Sequence, residues 1–473
     1  MSRCVIPIIA ELTAFNPATA SDDHRLAHSC YMVVVGQVED PSYLSLLDDM
    51  IKYLDEDNVN SNKVDDSLAI MECEEVEIML QHMTLDYTID ELNNLRQNHF
   101  VFEDNFNMAL ISHLNRSPSY EKLKHICHKY EGTSENDAKM VISEHERIAN
   151  QSHGYFMQRG LSEDDARASA FAITFYTGTK SELCSRGASL ITRQANGTII
   201  EDKTINELQE ASIILYYLVK GLSYIPYYWG YATRSCQLNS DELKRYVAGT
   251  LITWLQFSSS TKGKQVAEGC FTTRNTVFKI YSLTGRKIQD FSNYDYEDEV
   301  LFLPHSTFLI LKHVPSEDDT QHTIYMRQVE LGLSSRSILW VDDKIFNENW
   351  ENKSHMEYAS AKALNSNVHF IPKSSTDTAM SFLRSPFGQR LKNQRSFRIV
   401  SDMTRKNEDP SHNAGARLVK QLRQLGFEND LLIYTSDLAK AYMILENELT
   451  SNELKNVDIT IASIDLHRFI NFD

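Results

Sequence analysis

No stretch of the 473-residue sequence approaches the ~20 consecutive apolar residues that a membrane-spanning helix needs. The opening segment MSRCVIPIIAELTAF holds one arginine and a brief apolar run stopped by Glu11, so no secretory signal is expected there. Cysteine is sparse: Cys4, Cys30, Cys73, Cys127, Cys184, Cys236 and Cys270 are scattered and odd in number. That suits reduced thiols in a cytosol-like compartment better than a disulfide framework. Basic charge is also in short supply, with Lys+Arg 47 against Asp+Glu 65 and a formal charge of -18. Such a field disfavours nonspecific attraction to nucleic-acid phosphates or anionic lipid, so neither a nucleic-acid nor a membrane partner is expected. No internal repeat or low-complexity tract appears. The cluster His125-x-Cys127-His128 lacks a second ligand pair at finger spacing and reads as ordinary helix residues. What is present is core-forming material, 42% hydrophobic and 10% aromatic, in a chain long enough for two to four domains of roughly 100–200 residues.

Along the chain, YMVVV at 31–35 reads as a buried strand, and Leu47, Met50, Ile51 and Leu54 fall on one helical face after it. Helical patterns continue to about residue 130, where Gly132 closes one helix and Ser134 caps the next. The expected division is therefore an N-terminal α/β region of unassigned role at 1–130 and a second domain at 131–315. In the second domain, 136–177 is mostly helical and ASIILYYLV at 211–219 is a core helix. The short runs GTLITWLQF, NTVFKIYSL and EVLFLP are strands between Gly, Ser and Asn turns. A helical lobe followed by a β-rich lobe gives an α+β domain. VPSEDDTQH, near residue 315, reads as a polar hinge. After it SILWVDD, RSFRIVSDM and DLLIYTS are strands alternating with helices such as NAGARLVKQLRQLGF, which implies a doubly wound parallel sheet over 330–473.

One stretch, DYEDEVLFLP, begins an apolar strand with three carboxylates. Alternation along a strand would put Glu297 and Glu299 on one face and Asp298 on the other. Taken alone the pair is a solvated strand end, since the same spacing recurs at Glu72/Glu74, Glu75/Glu77 and Glu446/Glu448. Two further pieces precede it in order: YYWGYATR, where aromatics lead into Arg234, and TWLQFSSSTK, a strand running into hydroxyls. An arginine fork matches phosphate oxygens, hydroxyls can orient a carboxylate, and a carboxylate can stabilise a sugar cation. The set suits a charged, ribose-bearing substrate.

These motifs resemble the arginine-specific mono-ADP-ribosyltransferases, whose signature is Arg, then Ser-Thr-Ser, then Glu-x-Glu. The resemblance spans about residues 140–312 and includes Tyr176-Thr177-Gly178, Tyr246-x-x-Gly249 before Thr253-Trp254, and Glu299 through Pro304. The hydroxyl motif departs from the signature, reading Ser259-Ser260-Thr261, with a hydroxyl kept at every position. The resemblance implies a helical lobe with a β-sandwich core and NAD+ as substrate. It implies that Arg234 binds NAD+, that Ser259 orients Glu299, and that Glu299 favours the oxocarbenium-like species formed as nicotinamide leaves. Glu297 would engage the guanidinium of an arginine on a protein acceptor. Trp229 and Tyr231 are candidates to stack on nicotinamide or adenine, or else core aromatics.

The last segment, about 335–473, resembles a response-regulator receiver or a related flavodoxin-like module. That resemblance implies a hard-cation site, Mg2+, at Asp342, Asp343 and Asp402, with Thr435 as the later-strand hydroxyl. Ala462 or Ser463 stands where that family carries a lysine, and the loop TRKNEDPSHNAG after Asp402 is long. A regulatory partner-binding role therefore competes with phosphoryl switching. For the whole chain three functions stand: arginine ADP-ribosylation, NAD+ hydrolysis with water as acceptor, and a non-catalytic signalling adaptor.

Overall fold

The computed structural model describes residues 32–38, 83–84, 110, 118–132, 134–178, 202–263, 273–329, 336–347, 349–362 and 368–473, with 181, 183–185, 187, 188 and 191 between them. The helix expected around Leu47 to Leu54, and most of the 1–130 region, lie outside these residues. Strand β1 (Met32–Val38) covers the expected YMVVV run and pairs antiparallel with β2 (Met83–Thr84). The chain divides into two compact units, one holding 1–36, 86–329 and 361–365 and the other 37–85, 330–360 and 366–473.

The first unit opens with a helical lobe of α1 (Tyr120–Tyr130), α2 (Glu135–Met157), α3 (Glu163–Thr177) and α4 (Asp202–Ser223). Ser119, Ser134 and Ser162 each accept a backbone N–H as N-caps, which fixes where the first three helices start. Helix α3 is the axis of the lobe, because Ala166 through Tyr176 lack an exposed face except at Arg167. Its alanines let neighbours approach closely. At Gly221 of α4 an added Cβ would sit 3.1 Å from both Ile173 and Ser169 of α3. Leu123, Ile126 and Cys127 of α1 join the same core, so the lobe starts before the boundary expected at residue 131.

The β-rich lobe comprises β3 (Tyr227–Cys236), β4 (Thr250–Trp254), β5 (Ser258–Lys262), β6 (Thr276–Lys287), β7 (Glu299–Phe302), β8 (Ser306–Pro315) and β9 (His322–Gln328). Their order is β4-β8-β9-β6-β3-β5-β7, with β6 also pairing β7. In place of the two separate layers of a sandwich, one sheet curls back on itself, so that β3, β5, β7 and β6 form a closed ring. Gly285 permits the closure, since a Cβ there would lie 2.7 Å from Val300. Trp254 fills the middle, with its ring 4.4 Å from Phe308 and 5.3 Å from Phe278 and its Nε1 donating to the Tyr246 hydroxyl. The stretch read as a hinge is instead a hairpin turn. Beyond it, β9 pairs antiparallel with β8 and parallel with β6, so the unit extends past residue 315 to Val329.

The second unit holds β10 (Ser337–Val341), β11 (His369–Lys373), β12 (Phe397–Asp402), β13 (Leu431–Tyr434) and β14 (Val457–Thr460), all parallel, in the order β11-β10-β12-β13-β14. Helices α5 (Lys353–Ser360), α6 (Thr376–Arg384), α7 (Ala414–Gln424), α8 (Leu438–Glu448) and α9 (Ser463–Asn471) alternate with them. The strand order reverses at β10, and the carboxyl ends of β10 and β12 lie side by side there.

Candidate active site

Three strands carry the expected residues to one place. Arg234 lies near the end of β3, Ser259 in β5 and Glu299 at the first position of β7. Strand β5 pairs both neighbours, with Thr261 opposite Thr233 of β3 on one side and Glu299 of β7 on the other. The Arg234 guanidinium is buried, donates from Nη1 to the Ser259 carbonyl at 2.6 Å, and lies 5.7 Å over the Trp254 ring. The Ser259 hydroxyl donates to the Glu299 carboxylate. Ser260, one step on, turns to the Val300 carbonyl at 2.7 Å and so locks β5 against β7.

Glu299 is 5% exposed. Burial pushes its carboxyl up to about 7, with Glu297 adding to the rise while the Ser259 hydrogen bond and Arg234 pull it back. Burial also raises Glu297. Tyr176, at the end of α3, is pushed well above the usual phenol range by burial and then by Glu299, so it keeps its proton and remains a donor.

Glu297 is not on the strand. It ends a short 3-10 turn (Asp295–Glu297), and Asp298 then takes the left-handed conformation at φ 45°, ψ 53° before β7 begins. Aspartate tolerates this backbone better than most residues. The alternation expected from the sequence therefore does not apply, yet both glutamates line one cavity, of about 190 Å³. Asp298 points instead to Lys287, 3.3 Å away.

The wall also includes Tyr176, Thr177 and Gly178 from α3, Thr233 to Ser235, Ser259 to Thr261, Arg274 and Tyr294. Trp229 and Tyr231 are not among the lining residues. They lie further back on β3, where Gly230 sits at φ 146° beside a break in register, and the Tyr231 ring packs edge-on to Tyr281 at 6.0 Å. Sequence reasoning missed Arg274, whose Nη1 donates to the Ser235 carbonyl at 2.7 Å, and Tyr294. The sequence around Arg274 carries no motif. Only the fold brings it to the same cavity as Arg234, so that two arginines and two glutamates line it.

In the second unit Asp342, Asp343 and Asp402 come together as expected, each offering an oxygen within 4.8 Å of the others. Burial and then Asp342 push Asp402 up to about 6. Asp342 accepts from Trp350 Nε1 and the Lys344 backbone, both at 2.9 Å, and Asp343 accepts from the Lys406 backbone at 2.8 Å. Thr435 follows β13, and its backbone N–H donates to Thr460. Just past β14, Ala462 or Ser463 stands where the resemblance expects lysine. A buried lysine unnoticed in the sequence, Lys373, ends β11 at the opposite edge of the sheet, beside β10, with its ammonium 4.9 Å over the Phe382 ring.

Residues 120–331 match the family model described as NAD:arginine ADP-ribosyltransferase, which bears out the resemblance read from Arg234, Ser259, Glu297 and Glu299. Among curated proteins the chain is similar to Mav of Mycobacterium avium (strain 104), provisionally named an NAD(+)–arginine ADP-ribosyltransferase. The two are 36% identical over 94 residues, 20% of this chain and 11% of that protein. The chain thus spans about a tenth of the length of that relative. Similar solved structures include the type III effector XopAI from Xanthomonas axonopodis pv. citri, with TM-score 0.35 and 16% identity over 51% of this chain and 91% of that one. Another is the ADP-ribosyltransferase HopU1 of Pseudomonas syringae pv. Tomato DC3000, with TM-score 0.31 and 18% identity over 44% of this chain and 97% of that one.

Proposed function

We propose that this chain transfers ADP-ribose from NAD+ to an arginine of a protein acceptor and releases nicotinamide. The observation that carries the reading is the meeting of Arg234, Ser259, Glu297 and Glu299 on one cavity. Ionised Glu299 accepts a hydrogen bond from the nicotinamide ribose 2′-hydroxyl and balances the positive charge that builds as the C1′–N bond breaks. Nicotinamide leaves as a neutral molecule with the bonding electrons. An arginine nitrogen then attacks C1′, and the proton it sheds passes to the carboxylate of Glu297, which has held the guanidinium in place. Arg234 and Arg274 supply the forks that suit the pyrophosphate. Hydrolysis needs Glu299 alone, so the second carboxylate on the same cavity favours transfer over hydrolysis.

The second unit serves, in this reading, as a flavodoxin-like, receiver-like module that docks a regulatory partner. Its support is the parallel order β11-β10-β12-β13-β14, the order of one common doubly wound sheet. Asp342, Asp343 and Asp402 are the residues that would hold Mg2+, a hard cation that would offset their crowded negative charge. No helix of the described residues is long and apolar enough to cross a membrane. Buried free thiols at Cys127 and Cys184 fit action in the cytoplasm.

The test is incubation of the full chain with NAD+ and agmatine, following nicotinamide and ADP-ribosyl-agmatine together. Adduct is expected from the natural chain, and Glu299→Gln should lose about a thousandfold in both products. Nicotinamide without adduct would replace the transferase reading with hydrolysis.

A further inference from the structure

A buried polar relay behind the cavity wall ties the loop carrying Tyr294 and Glu297 to the helical lobe. Asn293 is its centre. The Asn293 backbone N–H donates to Thr177 Oγ1 at 3.1 Å, and its side-chain Nδ2 donates to the Thr174 carbonyl at 2.5 Å and to Thr177 Oγ1 at 3.1 Å. Those donations fix the orientation of the amide, so Oδ1 must accept, and His145 Nδ1 faces it at 3.3 Å. His145, on α2, is 4% exposed, edge-on to Phe171 and Phe175, with Glu131 Oε1 3.5 Å from its other ring nitrogen. Gly178 makes the space, because a Cβ there would lie 3.0 Å from His145 Cε1. One residue pair earlier in the loop, the Phe291 carbonyl accepts from Thr174 Oγ1 at 3.0 Å.

Neither His145, Glu131 nor Asn293 lines the cavity. Burying an imidazole beside a carboxylate is costly, and binding of substrate does not account for it. What the relay does hold is the loop just before Glu297. Glu299 is secured separately, by the β5–β7 ladder and by Ser259.

We propose that His145 and Asn293 are positioning residues that set the place of Glu297, and through it the partition of ADP-ribose between arginine and water. The proposal rests on the transferase reading above. Loosening the relay moves the acceptor-side carboxylate and leaves the bond-breaking one where it is.

Two measurements on the full chain decide it, using Asn293→Ala, His145→Leu and His145→Gln, the last keeping an N–H for Asn293. Amide hydrogen exchange should rise about tenfold over 294–298 in the first two variants, with β7 unchanged and His145→Gln closer to the natural chain. With NAD+ and agmatine, the ratio of ADP-ribosyl-agmatine to free ADP-ribose should fall about tenfold in the first two variants while the KM for NAD+ holds. Unchanged exchange over 294–298, or equal loss of both products at unchanged Tm, would overturn the proposal. If Asn293→Ala does not fold, the two His145 variants carry both readouts. If the natural chain forms no adduct, the transferase reading fails, and exchange still decides whether the relay anchors the loop.

Discussion

Both units bring carboxylates to strand ends, and in each burial pushes one of them up, Glu299 to about 7 and Asp402 to about 6. They differ in what faces the oxygens. In the second unit the protein's own donors approach closely: Trp350 and the Lys344 backbone take Asp342, and the Lys406 backbone takes Asp343. In the first, Ser259 holds Glu299 while a cavity with two arginines opens in front of it. A carboxylate at a strand end is therefore poised for chemistry when the fold orients it with one side chain and keeps the backbone away. Crowded acidic residues alone do not achieve this.

The largest effect that would sharpen the contrast is expected at Glu297. Glu297→Gln should lower ADP-ribosyl-agmatine formation about a hundredfold or more and leave most nicotinamide release, read by following both products. Equal loss of the two would remove the acceptor role.

Next comes pH. On the proposed mechanism Glu299 acts as the anion, so kcat/KM for NAD+ should rise with pH through about 7 and be lost below it. Ser259→Ala removes the hydrogen bond that lowers the value, so the rise should move to higher pH and the plateau should fall about tenfold. The sign for stability is opposite. Because the folded value lies above the unfolded one, ionisation opposes folding, and the natural chain should lose more stability than Glu299→Gln as pH climbs toward 7. Melting curves at several pH values check this.

The smallest catalytic effect is expected in the other cluster. Asp402→Asn should leave nicotinamide release within about twofold of the natural chain, and Mg2+ should raise the Tm of the natural chain but not of Asp402→Asn. A large loss of activity in Asp402→Asn would erase the distinction between the clusters.

Much of this was legible in the sequence because it rests on local chemistry. Apolar runs such as SILWV and LLIY formed strands, and Ser134 capped its helix as its spacing foretold. Arg234, Ser259 and Glu299 were legible as an ordered set. What escaped depends on pairings between distant segments. SEDDTQ has the composition of a linker, and only the pairing of β8 with β9 shows that it is a turn. Arg274 has no local signature, and the place of Trp229 and Tyr231 hinges on a register break at Gly230. Glu297 and Glu299 share a side as expected, but not by strand alternation, because Asp298 adopts a left-handed backbone that a two-residue alternation does not foresee.

That single left-handed residue separates what two adjacent glutamates can become. Glu299 opens a strand of the sheet, while Glu297 ends a turn in a loop tied to the helices through Asn293. On the proposed mechanism, substitutions in 292–297 should therefore retune which acceptor is chosen without disturbing how the glycosidic bond is broken, so that choice of target and power of the reaction vary separately, on either side of one aspartate.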